Sequence, residues 1–392
     1  MNRSMRKPKL ALLLLCCFLF SALNAQAQRR NRNNNEEAAQ QTKEKAAPKK
    51  DEKTFASVIK DLKKDEGLFT VYQNDKKIMF EIPKSELKKD MLWVTRLVAS
   101  PENLSPFLGS GWKMNEQVVQ WEMIKGKIYL KTVSYNNVAD STDAIFKSVA
   151  NNNFAPIIGA FDIEGQPEDS ASYLVDVTGF FNQDTRAISA MNTGLRSQLQ
   201  VRRLDADKSY VESTKAFPIN IEVRQVMTYD AGRPPSNSAT GLITMKVSQS
   251  MIQLPEEPMM PRLADERVGW FTVGNINYSS NELKGDQVRF LKRWRLEPKD
   301  PAAYARGELV EPIKPIVYYL DPATPEKFKK WFKLGIEDWQ VAFEAAGFKN
   351  AIIAKEPPSP EEDPDWSPED ARYSTVRYIA SMTRNAVGPS TA

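Results

Sequence analysis

The feature that most constrains the fold is a series of short apolar segments between Leu68 and Leu296. They are rich in Val, Ile, Tyr, Phe and Thr and are bounded by Gly, Pro, Asn or Asp, which is typical of β-strands. Two of them are joined only by Lys125-Gly126, a two-residue hairpin connection. The pattern predicts a mainly β region, sandwich or barrel-like. The predicted strands are 68–72, 78–82, 91–99, 118–124, 127–133, 156–163, 173–177, 217–229, 242–254, 268–277 and 287–296, and the predicted helices are 55–62, 141–150 and 184–190.

After Leu296 the pattern of the sequence changes. Prolines between residues 298 and 315 mark a connector. An apolar strand is predicted at 316–320, followed by a helix, a second strand at 351–354 and an apolar piece at 377–380. Strand, helix and strand in this order predict the start of an α/β or α+β domain, which we expect to continue beyond the last residue.

The helix of this region has the strongest helical pattern in the chain. Thr324 is placed to act as N-cap, Pro325 lies in the first turn, and the helix is predicted to end near Gly347. Its apolar side chains share one face, which we expect a sheet to cover. The side chains of that face are Phe328, Phe332, Trp339, Phe343 and Ala346.

The N-terminus has the three parts of a secretory signal peptide. Basic residues precede an apolar run at 10–23, and Ala25-Gln26-Ala27 supplies a small-x-small cleavage pattern. The run is short for the alternative, a membrane anchor. Cleavage after Ala27 predicts an exported protein, periplasmic, outer-envelope or secreted, with no membrane span in the mature chain. The polar residues 28–53 predict a disordered tether.

Composition excludes most enzyme classes for this chain alone. It contains no histidine, the commonest metal ligand and the usual acid–base group near neutral pH. Cys16 and Cys17, the two cysteines, lie in the predicted signal peptide, so the mature chain has no thiol for a disulfide or a metal. The net charge of +4 gives no general attraction to nucleic acid. The sequence therefore predicts no catalytic, cofactor-binding or metal-binding residue here.

An acidic loop is the first of three charged clusters that deserve comparison with a site. Its carboxylates could bind calcium, but they lack the fixed spacing and the central glycine of a calcium loop. The spacing favours a solvated loop. The residues are Glu361, Glu362, Asp363 and Asp365.

The second and third clusters have equally plain explanations. A basic-aromatic run could bind a polyanion, but a half-buried strand with a cationic face explains its alternation as well. Glu337 and Asp338 could be catalytic carboxylates, but neighbours on a helix point about 100° apart, which favours exposed charges. The basic-aromatic run contains Arg289, Phe290, Lys292, Arg293, Trp294 and Arg295.

Three stretches carry a resemblance to a known family. The first is GLFTVY at 67–72 with FEIP at 80–83, and the second is PRLADERVGWF at 261–271. The third extends from YYLD at 318–321 through GIEDW at 335–339, AFEAAGF at 342–348 and DPDWSPED at 363–370 to RYIA at 377–380. Together they resemble the exported zinc-dependent metalloproteases of Bacteroidetes-type bacteria.

The resemblance implies a domain order and a missing site. In that family a short module and a β-rich domain of unknown function precede a metzincin-like protease domain. Its His-Glu-x-x-His zinc motif would lie beyond Ala392, so no site residue is carried over to this chain, and zinc and a peptide substrate are expected only for the full-length protein. The implied segments are a signal peptide at 1–27, a tether at 28–53, an α+β module at 54–100, a β-rich domain at 101–297, a connector at 298–314 and the incomplete start of the protease domain at 315–392.

Two functions stay open at this point. The chain is either the non-catalytic N-terminal portion of a secreted metallopeptidase, or a stand-alone β-rich binding or scaffold protein. Both predict the same residues, and the coding sequence downstream of Ala392 distinguishes them.

Overall fold

The computed structural model describes residues 54–104 and 108–380. The predicted signal peptide at 1–27 and the predicted tether at 28–53 lie outside these residues. The strands are β1 (Lys63–Asp65), β2 (Thr70–Gln73), β3 (Ile78–Pro83), β4 (Met91–Ala99), β5 (Lys113–Ile124), β6 (Lys127–Val133), β7 (Asn137–Val138), β8 (Ile157–Gly165), β9 (Ser172–Asp176), β10 (Val201–Leu204), β11 (Tyr210–Ala216), β12 (Asn220–Ala231), β13 (Leu242–Gln253), β14 (Thr272–Asn277), β15 (Asp286–Leu291), β16 (Ile316–Leu320), β17 (Ile352–Lys355) and β18 (Ser374–Val376). The helices are α1 (Phe55–Ile59), α2 (Phe146–Asn152), α3 (Thr178–Phe181), α4 (Thr193–Leu199), α5 (Pro301–Ala305), α6 (Glu326–Glu337) and α7 (Gln340–Ala345).

Twelve strands form one antiparallel, barrel-like sheet. Its path is β1-β2-β3-β9-β8-β6-β5-β4-β13-β12-β10, and β11 also pairs with β12. The two ends of the sheet meet where Leu68 donates its backbone N–H to the carbonyl of Phe217 over 2.7 Å. Beside it, the Gln73 amide donates to the carbonyl of Thr214 over 2.7 Å. The sheet is therefore nearly closed, and the predicted mainly β, barrel-like fold is confirmed.

Apolar side chains fill the inside of the barrel-like sheet because successive residues of a strand point to opposite faces. The centre is aromatic: Phe69 and Phe80 meet at a ring distance of 6.1 Å, and Phe69 and Trp121 meet at 6.2 Å, both edge to face. All three rings are buried. Burial of each stabilises the fold by about 1.5–3 kcal/mol.

The segment between β9 and β10 passes through this interior and is held by buried polar side chains. The carbonyl of Ile188 accepts from the Thr95 hydroxyl over 2.8 Å and from the Gln249 amide over 3.0 Å. The Gln225 amide donates to the carbonyl of Phe181. These partners satisfy backbone groups that strand pairing leaves free, so polar residues on the inner face complete the core.

An arm follows the last strand of the barrel-like sheet. β14 pairs with β15 antiparallel and with β7 parallel. None of residues 252–302 is buried. Large apolar side chains such as Met260 and Phe271 are 81% and 75% exposed. The arm therefore presents apolar surface that the described residues do not cover.

The C-terminal unit, residues 316–380, has a different architecture. Its three strands are parallel in the order β17-β16-β18. Helices α6 and α7 connect β16 to β17, as parallel neighbours require a crossover. Ile316, Leu320 and Ile352 are buried between these elements.

The prediction of one long helix up to Gly347 is wrong, because the chain forms two helices, α6 and α7. The Gln340 side-chain oxygen accepts from the backbone N–H of Ala351 over 3.0 Å, which ties the start of α7 to the strand that follows. Thr324 is also not the N-cap. That position is taken by Pro325, which makes no side-chain cap hydrogen bond, and Thr324 is buried.

Several other boundaries differ from the sequence predictions. The predicted helix at 184–190 is a short 3₁₀ turn at Arg186–Ile188. The strand predicted at 287–296 ends at Leu291, and the one predicted at 268–277 begins at Thr272. The edge strands β10 and β11 and the helices α3 and α4 were not predicted, because their sequences mix charged with apolar residues or are short. The hairpin predicted at Lys125-Gly126 is confirmed.

Candidate functional site

The acidic loop does not converge on a common point. The Glu362 carboxylate accepts from the backbone N–H of Ser359 over 2.8 Å, and the Asp363 carboxylate accepts from the N–H of Asp365 over 3.2 Å. A hydrogen bond from Ser359 lowers the pKa of Glu361. These carboxylates therefore stabilise turns of their own loop.

The basic-aromatic run is also engaged locally. Arg293 donates to the carbonyl of Met260 over 2.7 Å, and Arg295 donates to the carbonyl of Glu257 over 2.9 Å. The Trp294 ring meets the Tyr318 ring at 6.0 Å, edge to face. Arg293 and Arg295 therefore connect parts of the arm to one another, and Trp294 contacts the C-terminal unit.

The carboxylate pair on the helix is separated as its spacing predicts. The Glu337 carboxylate accepts from the backbone N–H of Ala354 over 3.3 Å, whereas Asp338 forms the C-cap of α6. Both residues are exposed. Their placement supports a structural role.

The donor set of the chain does not fit the zinc that the resemblance implies. Zinc in proteins is held by Cys, His and carboxylate side chains, with nitrogen or sulfur usually dominant. The sequence has no histidine, and its cysteines are Cys16 and Cys17. Within 54–104 and 108–380, no three His, Cys, Asp or Glu side chains come together as a metal site.

An aromatic groove lies on the outward side of α6 and is the first of two candidate surfaces. It has a volume of about 350 Å³ and is lined by Phe328, Trp331, Phe332 and Tyr378. The Phe328 and Tyr378 rings stack at 6.1 Å, and Trp331 is 65% exposed. The groove is therefore a preformed apolar surface.

The orientation of α6 explains why these rings face outward. Lys329 and Lys333 both pair with Glu356, just beyond the end of β17, over 3.2 and 2.5 Å. At about 100° per residue, Trp331 then lies opposite the two lysines, whereas Phe328 and Phe332 lie on the flank between, about 120° and about 80° from them. The sequence predicted an apolar face on this helix, but the described residues do not cover that face with a sheet.

The second surface is a polar patch on the outer wall of the barrel-like sheet, formed by Asn220, Glu222, Ser248, Ser250 and Arg96. The Glu222 carboxylate accepts from Ser248 over 2.7 Å, from Ser250 over 2.8 Å and from the Asn220 amide over 2.9 Å. Arg96 donates to the Ser250 hydroxyl over 2.9 Å. Burial raises the pKa of Glu222 to about 7, although the two serine hydrogen bonds act in the opposite direction.

Residues 366–377, here called the covering segment, bury this outer-wall patch. The Asn220 amide donates to the carbonyl of Glu369 over 3.0 Å, and its oxygen accepts from the N–H of Ala371 over 2.9 Å. Arg224 forms an ion pair with the Glu369 carboxylate. The wall and the C-terminal unit are thus joined through both backbone and charge.

Sequence reasoning missed the outer-wall patch. Asn220, Glu222 and Arg224 occupy every second position of a predicted strand, and alternating polar residues are typical of a solvent-facing side. The residues that cover them come about 150 positions later in the chain, as the 149-residue separation of Asn220 and Glu369 shows. No local pattern could reveal that contact. Ser248 and Ser250, which pair with this strand from β13, also alternate in the sequence and are consistent with a polar patch.

Comparisons with known proteins give two family matches. Residues 52–100 match a family model described as a domain of unknown function (DUF5118), and residues 111–299 match one described as a domain of unknown function (DUF5117). No curated protein and no solved structure matches the chain. The structure joins both matched segments in the barrel-like sheet.

Within residues 54–104 and 108–380, no helix combines the length and the apolar character needed to cross a bilayer.

Proposed function

We propose that this chain is the non-catalytic N-terminal portion of an exported zinc-dependent metallopeptidase. In this proposal the barrel-like sheet is a non-catalytic base, and the C-terminal unit is the start of the protease domain, which further polypeptide completes. The resemblance at 67–72, 261–271 and 318–380 supports it. So does the order of the parts, in which a β-rich region precedes a parallel strand–helix–strand unit.

The observation that carries the proposal is the aromatic groove on α6. Parallel sheets are normally covered on both faces, and helices that pack on them bury their apolar side. Here the described residues leave Trp331 65% exposed and Phe332 37% exposed. Such a surface is expected where further polypeptide packs.

The position of the groove supports the same partner. Tyr378 lines it, close to residue 380, where the described part of the chain stops. Only Ile379 and Ala380 separate Tyr378 from the end of the described residues, so the groove is within covalent reach of later residues. The covering polypeptide is therefore proposed to be the next part of the same protein.

The zinc chemistry would belong to that next part. A metallopeptidase zinc polarises the peptide carbonyl and activates a water molecule. Its ligands and general base must come from residues that this chain lacks. The barrel-like sheet would contribute a rigid support, and the C-terminal unit would contribute the non-catalytic start of the protease domain.

Metal analysis and a protease assay test the proposal together. We expect the purified chain to bind no stoichiometric zinc and to leave fluorescent casein uncut. The polypeptide continued through the downstream coding sequence should bind one zinc and cleave casein in a chelator-sensitive manner. A matched variant of the longer protein, with the downstream general-base glutamate changed to glutamine, should keep the zinc and lose the cleavage.

Two results would contradict the proposal. Tightly bound zinc with chelator-sensitive proteolysis in the short chain would place the active site within it. A stop codon directly after Ala392 would instead favour the stand-alone binding or scaffold function.

A further inference from the structure

The outer-wall patch contains an unusual feature: a carboxylate buried between two parts of the molecule without a direct ion pair. Glu222 is 6% exposed, and its three hydrogen-bond donors, Ser248, Ser250 and Asn220, are neutral. Removing a carboxylate from water disfavours its ionised form strongly unless a cation compensates. The covering segment is what keeps water away.

The positive charge of Arg96 favours the ionised form of Glu222, but burial outweighs this effect and the pKa is raised. Arg96 of β4 donates to the Ser250 hydroxyl. Arg224, which lies in β12 with Glu222, is paired with Glu369. Glu369 lies in the covering segment, and its negative charge raises the pKa of Glu222 further. The other charged side chains of the surrounding elements are Lys215 and Glu212 of β11, Lys246 of β13, and Asp370, Arg372 and Arg377 of the covering segment.

Those remaining groups are engaged elsewhere. Lys246 pairs with Glu212, and Arg372 pairs with Asp370. Arg377 lies 3.7 Å from Asp321 and 3.5 Å from Glu369. The Lys215 ammonium lies over the Phe217 ring, 5.1 Å from the ring centroid. Among the described residues, ionised Glu222 would therefore accept hydrogen bonds from hydroxyl and amide donors, and Arg96 would act on it only through the intervening Ser250 hydroxyl.

We propose that the outer-wall patch is a pH-sensitive latch, in which protonated Glu222 keeps the covering segment on the wall and ionisation of Glu222 releases it. Release admits water to the carboxylate and separates it from Glu369. The same movement breaks the two hydrogen bonds between Asn220 and the backbone of 369–371. The C-terminal unit would then be held to the barrel-like sheet less firmly.

The direction of the pH effect follows from linkage. In the covered state the pKa of Glu222 is about 7, whereas a released, hydrated glutamate has its ordinary value near 4.5. Below both values the carboxyl is protonated in either state and pH has no effect. Between them only the released state is ionised, so release grows about tenfold for each pH unit. Above the higher value the effect reaches a plateau.

Hydrogen exchange of the full chain, measured by mass spectrometry from pH 5 to 9, tests the latch. After correction for the intrinsic pH dependence of exchange, protection of peptides covering 366–376 should fall about 100-fold between pH 5 and pH 7 and then level off. In Glu222→Gln the fall should disappear. Glu212→Gln, on the neighbouring strand β11 but exposed to solvent, should behave like the unchanged chain.

A second variant separates a titrating role from a merely structural one. Ser250→Ala removes a hydrogen bond that lowers the pKa of Glu222, so the plateau should begin at a higher pH. This readout remains if Glu222→Gln fails to fold. A flat profile in the unchanged chain, the same fall in Glu222→Gln, or an unmoved plateau in Ser250→Ala would overturn the proposal.

Discussion

The barrel-like sheet and the C-terminal unit solve the problem of burying apolar surface in opposite ways. The sheet curls until its ends meet and encloses its own aromatic centre, in which Trp121 is 1% exposed. The C-terminal unit has three parallel strands and turns the aromatic side of α6 outward, where Trp331 is 65% exposed. One region completes its core from its own residues. The C-terminal unit instead depends on contacts outside itself, and one of these is the contact between its covering segment and the outer wall of the sheet.

This difference indicates how the two regions contribute to function. A closed sheet is a stable base that can tolerate an open neighbour, because its own core does not depend on that neighbour. An open unit keeps an apolar surface available for a partner. The outer-wall patch is polar where the groove is aromatic, so one contact can respond to pH while the other is suited to permanent packing.

The largest expected effect compares two tryptophans. Trp121→Ala should lower the free energy of unfolding by about 3–5 kcal/mol, since it leaves a cavity in the aromatic centre. Trp331→Ala should change it by less than about 0.5 kcal/mol, because the side chain is already mostly in water. Because exposed apolar side chains promote association, we also expect Trp331→Ala to scatter less light than the unchanged chain at equal concentration. Urea unfolding and light scattering measure the two quantities, and a large loss of stability in Trp331→Ala would break the comparison.

The sequence predicted the closed region better than the open one, for a physical reason. Strands such as β5 and β6 carry their own signal: alternating residues and a two-residue turn at Lys125-Gly126. β10 and β11 do not, because they pair only with β12 and remain largely exposed, with charges such as Arg202 and Lys215. Edge strands need little apolar patterning.

The candidate surfaces were predictable only in part. The apolar face of the long helix was visible in the sequence because its spacing follows the helical repeat. Its break into α6 and α7 was not, since it depends on Gln340 reaching Ala351 of a later segment. The latch residues were hidden for the same reason: Glu222 and Glu369 are brought together only by the tertiary fold.

A prediction of intermediate size tests how much the contact between the two ends of the sheet contributes to the free energy of unfolding. The Asp65 carboxylate accepts from the backbone N–H of Ala216 over 2.9 Å, across the point where the ends meet. Hydrogen bonds to charged groups contribute about 1.5–3 kcal/mol, and the loss leaves a buried N–H unsatisfied. Asp65→Ala should therefore lower the free energy of unfolding by about 2 kcal/mol. Asp75→Ala, in an exposed turn of the same sheet, is the matched control and should be close to neutral; equal losses in both would show that the end contact is unimportant.

The smallest effect concerns the hairpin that the sequence predicted most directly. Gly126 has φ of 81°, in the left-handed region, and nothing lies within 4 Å of the place where its Cβ would be. Any cost of Gly126→Ala is therefore conformational and should be about 1 kcal/mol in thermal unfolding. Gly126→Asn should recover part of it, because asparagine tolerates this region better.

In the C-terminal unit, Gly347 has φ of 91°, and an added Cβ would stand 2.6 Å from the Tyr304 ring. Gly347→Ala should thus cost more than Gly126→Ala, and asparagine should not rescue it, because the steric overlap persists. Equal costs at the two glycines would mean that the open unit yields to accommodate the side chain, which would sharpen the contrast with the closed sheet.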